Sequence, residues 1–456
     1  MAVAPSHMVP ATELSRSNET GMSLLLVALL TLVAAEQVFA LPLSMGPGLS
    51  MENALIYVVL SALIFKMAVQ RSTRFELRAL HICFFALIGY AALTLIVAAL
   101  VIQYPGYRTI KYVISLKARL VDQLVFFAVF FYALHHSRSA FNVMKALLLL
   151  TVLMNVIALL DGFGYIEAAG LVEREDGRAQ GIMGESNQSA AFIATFLPAL
   201  VAMTLVSRGV ARMFWIGGLL VCVAAMFMSA SRGGLVAVLV ASLWGLACFH
   251  KYVSTRSILA VTGVALSVVA IALPLVMAEY GSLLFNRFVG DTSSVDIVDV
   301  SSGRLDIWAG LLSTMARAPI TFLSGYGWEV YDSMPFRLAP HNHYLALWFN
   351  LGLVGLACGT ALLVIVAHSA IRAVSLLANP YRSALMAFAI GTVAIATATF
   401  FVDLYKPWTY FWAYAGLAMR IAVNARYQQP TSLVETNTAA APLPKHDPFG
   451  WVANAR

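Results

Sequence analysis

Three arginines in this sequence stand beside glycine or serine, and two histidines stand two residues apart. Arg178 lies in Gly177-Arg178-Ala179-Gln180-Gly181, Arg232 in Ser231-Arg232-Gly233-Gly234, and Arg304 in Ser302-Gly303-Arg304. His341 and His343 lie in Pro340-His341-Asn342-His343-Tyr344. A guanidinium presents a planar fork of donors that matches phosphate oxygens. A glycine beside it lets the backbone approach an anion closely. Several such arginines at one face would hold a diphosphate. A neutral imidazole near pH 7 can take a proton from a sugar hydroxyl. Histidines two apart on a strand could also share a metal ion, but no Asp, Glu or Cys lies close in sequence to complete that site. No metal is assigned.

Each of these residues also has a plainer reading. An arginine at the end of a membrane span commonly fixes topology or snorkels to headgroups. Arg178 has Glu175 and Asp176 close by to pair with. Either histidine could be an interfacial ring with a satisfied hydrogen bond. Arg232 fits the plain reading least, because it sits in a short turn between two apolar spans on the side where positive charge is disfavoured. Arg304 heads an amphipathic stretch, where a cation opposes the helix dipole unless an anion is present.

The elements that must position these residues are membrane spans. Of 456 residues, 61% are hydrophobic and 11% charged, against roughly 45–50% and about 25% in soluble domains. With a mean hydropathy of +0.82, the chain is neither a soluble globular enzyme nor a disordered protein. Apolar runs near bilayer length fall at 22–41, 53–69, 79–102, 120–135, 143–160, 188–206, 213–230, 235–249, 257–277, 343–366, 383–402 and 408–424. This predicts an all-α polytopic membrane protein of about 12 transmembrane helices, with 1–21 a cytoplasmic tail and 425–456 a disordered one. The run from 22 lacks the length limit and cleavage pattern of a signal peptide and reads as the first anchor. Cys83, Cys222, Cys248 and Cys358 lie in apolar runs and read as small buried hydrophobes.

The net charge of +7 follows topology rather than nucleic acid. Loops holding Arg71, Arg74 and Arg78, Arg138 and Lys145, Arg208 and Arg212, Lys251 and Arg256, Arg372 and Arg382, and Arg420 and Arg426 form a basic set, placed in the cytoplasm with the termini. The opposite set opposes this at one place: residues 103–119 carry Arg108, Lys111, Lys117 and Arg119. Either those charges work on the outer side or one span is miscounted. The longest loop, 278–342, carries two amphipathic patterns. One is Tyr280, Leu283, Leu284, Phe285 and Phe288; the other is Ile307, Trp308, Leu311, Leu312 and Met315. A loop so long and so patterned reads as a lid or binding element.

Taken in order, these motifs resemble the O-antigen ligase and polymerase superfamily of bacterial membrane glycosyltransferases. The likeness rests on Arg178 with Gly181 and Asn187; Ser231-Arg232-Gly233; Gly303-Arg304 with Trp308; Gly325-Tyr326-Gly327; and His341-Asn342 with Tyr344-Leu345, Gly352 and Gly355. It covers roughly 160–370 within a glycosyltransferase domain spanning 22–424. The resemblance implies a GT-C-like fold and a multi-pass protein of the bacterial inner membrane, with the 278–342 loop and the active site facing the periplasm. It implies an undecaprenyl-diphosphate-linked glycan as donor, no cofactor, and in the ligase branch no metal. It carries essential roles over to Arg232, Arg304 and His341, and substrate contacts to Arg178, Asn187, Asn342 and His343. The acceptor would be lipid A-core in a ligase, or another lipid-linked glycan in a polymerase.

A transporter is the alternative from another class. It would predict inverted repeats and ionisable residues near the bilayer midplane. Of the ionisable residues within the runs, Glu36, Lys66, Asp122 and Asp403, only Glu36 reads as deep.

Overall fold

The computed structural model describes residues 11–69, 76–168, 181–288, 304–334 and 340–427. The fold is all-helical apart from one small hairpin, whose strands Ser44–Gly46 and Leu49–Ser50 pair antiparallel between the first two helices. The helices are α1 Ala11–Phe39, α2 Met51–Val69, α3 Arg78–Ile96, α4 Thr109–Leu116, α5 Asp122–Tyr132, α6 Ser137–Gly162, α7 Ser186–Val206, α8 Gly209–Met228, α9 Arg232–Phe249, α10 Thr255–Phe288, α11 Arg304–Arg317, α12 His343–Val374, α13 Tyr381–Ala398 and α14 Lys406–Tyr427. A π-turn, Val97–Ile102, extends α3, and another, Lys117–Val121, joins α4 to α5.

Among the described residues, nine helices are long and apolar enough to cross a membrane. The chain is thus an all-α, multi-pass membrane protein. The remaining three predicted runs are also helical. The run at 120–135 is the π-turn and the 11-residue α5. The run at 257–277 lies in α10, which continues without a break to Phe288. The first amphipathic pattern of the long loop is therefore the end of α10 and not a separate helix. The second is α11, as its periodicity predicts. The run at 408–424 is α14, whose residues from Tyr410 to Val423 are all buried. It packs against α5, α6, α12 and α13. A helix enclosed by protein can carry polar tips that a lipid-facing one cannot. Arg420 is buried there, its guanidinium over the Phe131 ring and 3.1 Å from Glu76. By contrast α2 and α3 leave Val58, Phe65, Phe85 and Leu93 exposed, as a lipid-facing surface requires.

Contacts sort the connections to two ends of the bundle. At one end Glu19 accepts from the backbone N–H groups of His135 and His136, and Asn424 donates to the His135 carbonyl. At the other, residues 103–119 lie against the long loop. Tyr104 donates to the Tyr326 carbonyl at 3.2 Å and Tyr107 to the Trp328 carbonyl at 2.6 Å. The basic 103–119 segment is therefore on the same end as the long loop.

The four cysteines are free. Cys222 is buried as the sequence implied, whereas Cys248 is exposed on the apolar surface of α9.

Candidate functional site: helix N-termini around one corner

The corner between α13 and α14, residues 399–405, gathers the N-termini of five helices. Ser231 caps α9 by accepting from the Gly234 N–H at 3.3 Å, and its hydroxyl donates to Asn187 Oδ1 at 2.9 Å. This ties the start of α9 to the start of α7. Gln188 Oε1, one residue on, accepts from the N–H groups of Tyr405 and Lys406 at 3.3 and 3.4 Å. Asn342 caps α12 through Leu345 N–H at 3.0 Å, and the His343 N–H donates to the Thr399 carbonyl at 2.8 Å. Trp308, one turn into α11, donates its ring N–H to the Pro340 carbonyl at 2.8 Å. Arg304 lies four residues before Trp308, on the same face of α11.

The first residues of these helices are unusual. α9 begins with Arg232, α11 with Arg304, α12 with His343 and α14 with Lys406. A helix N-terminus carries about half a positive charge. Basic side chains there add to that charge instead of offsetting it.

The structure explains some motif residues by packing. A Cβ on Gly233 would lie 2.7 Å from the Phe401 Cβ, and one on Gly234 2.6 Å from the Ala190 Cβ. These glycines bring helices together; they need no anion to account for them. Gly352 has φ +60° inside α12, and a Cβ there would lie 2.1 Å from the Leu323 carbonyl oxygen. The kink exposes the carbonyls of Phe349 and Asn350, which accept from Tyr326 and Gly327 at 2.8 and 2.9 Å. The Gly325-Tyr326-Gly327 motif thus docks the long loop on α12. Asn342 and Asn187, expected as substrate contacts, have structural hydrogen bonds as described. Arg178 and Gly303 lie outside the described residues.

The two histidines differ. His341 is exposed, with a left-handed φ of +46°. His343 places Nδ1 at 3.1 Å from Asp403 Oδ1 and packs its ring 5.4 Å from that of Trp408. The other Asp403 oxygen takes Arg119 Nη1 at 2.9 Å. Burial alone would raise the Asp403 carboxyl; the Arg119 guanidinium and the His343 ring overcome it and hold the group down at about 2. Asp403 is therefore ionised and can only accept. It follows that His343 Nδ1 carries the proton of this bond and Nε2 keeps a lone pair when the ring is neutral. An apolar cleft adjoins the pair, lined by Leu120, Leu347, Leu363, Trp408 and Trp412 together with Arg119 and His343.

Residues 217–360 match the sequence model of the family described as O-antigen ligase. The match supports the O-antigen ligase superfamily. No curated protein matches it. The O-antigen ligase match takes in Arg232, Arg304, His341 and His343 and stops short of Asp403. Arg119 and Asp403 were not among the candidate site residues of the sequence. The signals that could have found them are Arg119 in a basic loop on the disfavoured side, and Asp403 as an acid at a span end.

Proposed function

We propose that this chain transfers a glycan from undecaprenyl diphosphate to lipid A-core at the periplasmic face of a bacterial inner membrane. The reaction is metal-independent and inverts the anomeric centre. The observation that carries the reading is the meeting of basic-headed helix N-termini at one corner, beside an Asp-held histidine and an apolar cleft. Departure of a lipid diphosphate develops negative charge, which preorganised cations and N–H groups stabilise in a site poor in water. Arg232 and Arg304 take the diphosphate, with Arg178 assigned the same role from its motif. The lipid chain lies along apolar helix surface. A histidine accepts the acceptor hydroxyl's proton as it attacks. The sequence motif favours His341 for that role; the Asp403 bond favours His343, by the logic that an acid behind an imidazole fixes its tautomer and stabilises the charged ring. His343 is the assignment adopted here. Arg108 and Lys111 are exposed at the same end, which suits a phosphorylated core acceptor and supports ligase over polymerase.

Deletion in the source bacterium tests this. Loss of long-chain O-antigen with accumulation of lipid-linked polymer supports the ligase. Accumulation of single lipid-linked repeat units makes the chain a polymerase, and unchanged lipopolysaccharide overturns both.

A further inference from the structure

Two carboxyl groups share one guanidinium behind His343. Asp403 and Glu329 are two carboxylates against one guanidinium: Arg119 Nη1 lies 2.9 Å from Asp403 Oδ2 and 3.2 Å from Glu329 Oε1. Glu329 is buried at 4% exposure, on a left-handed backbone with φ +57°. An ordinary glutamate adopts that conformation only when its surroundings impose it. Ser115 donates to its Oε1 at 3.1 Å. Burial raises the Glu329 carboxyl above its ordinary value, even with Arg119 and the hydrogen bonds from Tyr331 and Ser115 pulling it down. With Glu329 protonated the trio is neutral, and with Glu329 ionised it carries one unbalanced negative charge. A protonated imidazole on Asp403 would neutralise it.

We infer that Arg119 and Glu329 are positioning residues for the His343–Asp403 pair, acting in opposite directions on its readiness to take a proton. This rests on the assignment of His343 as the proton acceptor. Arg119 holds Asp403 in place through one oxygen so that the other meets His343, and its charge opposes proton uptake by the ring. Glu329 offsets Arg119 and so restores the pull of Asp403. Glu329 arrives on the long loop, whose 326 and 328 carbonyls are held by Tyr104 and Tyr107, so the trio is complete only with that segment seated. Among the described residues the ionisable groups around the ring are few. Asp403 meets it directly, and Arg119 and Glu329 act through Asp403. Tyr331 and Tyr405 adjoin the same carboxylates, with Glu185 near Tyr405. Lys406 begins the helix that carries Trp408, and Tyr344 and Trp408 supply ring contacts.

The test is the pH–rate profile of the purified full-length protein in lipid, with a polyprenyl-diphosphate-linked oligosaccharide and lipid A-core. Removing a unit charge roughly 6 Å from the ring, at an effective dielectric of about 40, moves the acid limb by about one pH unit. Arg119→Met should move it up by about that much. Glu329→Gln, acting from farther away, should move it down by about half a unit. Arg119→Lys keeps the charge and should return the limb close to its original place, which separates an electrostatic effect from a folding defect. Shifts in the same direction, or an unmoved limb in both, overturn the inference. His343→Ala is assayed alongside. Normal transfer by His343→Ala overturns the assignment of the base and this inference with it. Loss of transfer by His343→Ala with unmoved limbs in the other variants overturns this inference alone.

Discussion

His343→Ala compared with His341→Ala is the most direct test of the chemistry. In the first variant Asp403 keeps its bond to Arg119 at 2.9 Å, so the carboxylate is not left buried without a cation. The folding cost is then one charge-assisted hydrogen bond, about 1.5–3 kcal/mol, plus ring packing on Trp408. A bundle of this size should withstand that. Catalysis loses its proton acceptor, a contribution of about 10²–10⁴-fold. His341 has no such bond, and its left-handed backbone is disfavoured for alanine at least as much as for histidine. Its replacement should cost far less transfer. The assay is initial transfer rate from a labelled lipid-linked donor in reconstituted lipid, with protein levels matched by immunoblot and donor binding measured separately. His343→Ala should bind donor normally and turn over slowly. Normal turnover by His343→Ala, with a large loss in His341→Ala, would refute the argument from Asp403 and restore the motif's own choice.

Arg232→Lys and Arg304→Lys should each lose most transfer at normal expression, because lysine keeps the charge and loses the forked donor geometry; near-normal rates in both would make these residues anchors or point charges. Among the described residues no three His, Cys, Asp or Glu side chains are grouped to hold a metal ion, and transfer should persist in excess EDTA; abolition with rescue by one added metal would contradict this. The Asp403 carboxyl is lowered from 3.8 to about 2 on folding. Its stabilising contribution is fully present above the unfolded value and fades as pH falls through the folded one. Thermal stability of the detergent-solubilised protein should therefore exceed that of Asp403→Asn at neutral pH, and the gap should close between about pH 4 and about 2; a gap independent of pH would show that the carboxylate's charge is not what stabilises.

Composition alone settled that this chain lies in a membrane, because a surface this apolar has no stable place in water. Periodicity in Ile307, Trp308, Leu311 and Met315 determined α11, and the order of the arginine and histidine motifs pointed to the family. These are local patterns, and local patterns survive in one dimension. Hydropathy does not tell burial in lipid from burial in protein: α14 reads as an apolar span, and its apolar and aromatic residues face other helices. The long loop was legible as a functional element, but its first amphipathic pattern belongs to α10, since nothing in that stretch breaks the helix. What only the tertiary structure decided is which charges meet. Arg119 and Asp403 lie far in sequence from Glu329 and His343; Arg119, His343 and Asp403 each resemble a residue at a span end, and Glu329 an ordinary acid of the long loop. Their pairing depends on a π-turn after α4, a left-handed residue in the long loop and a corner between two helices. Such irregular backbone is set by packing across the whole bundle, and no spacing rule in the sequence encodes it.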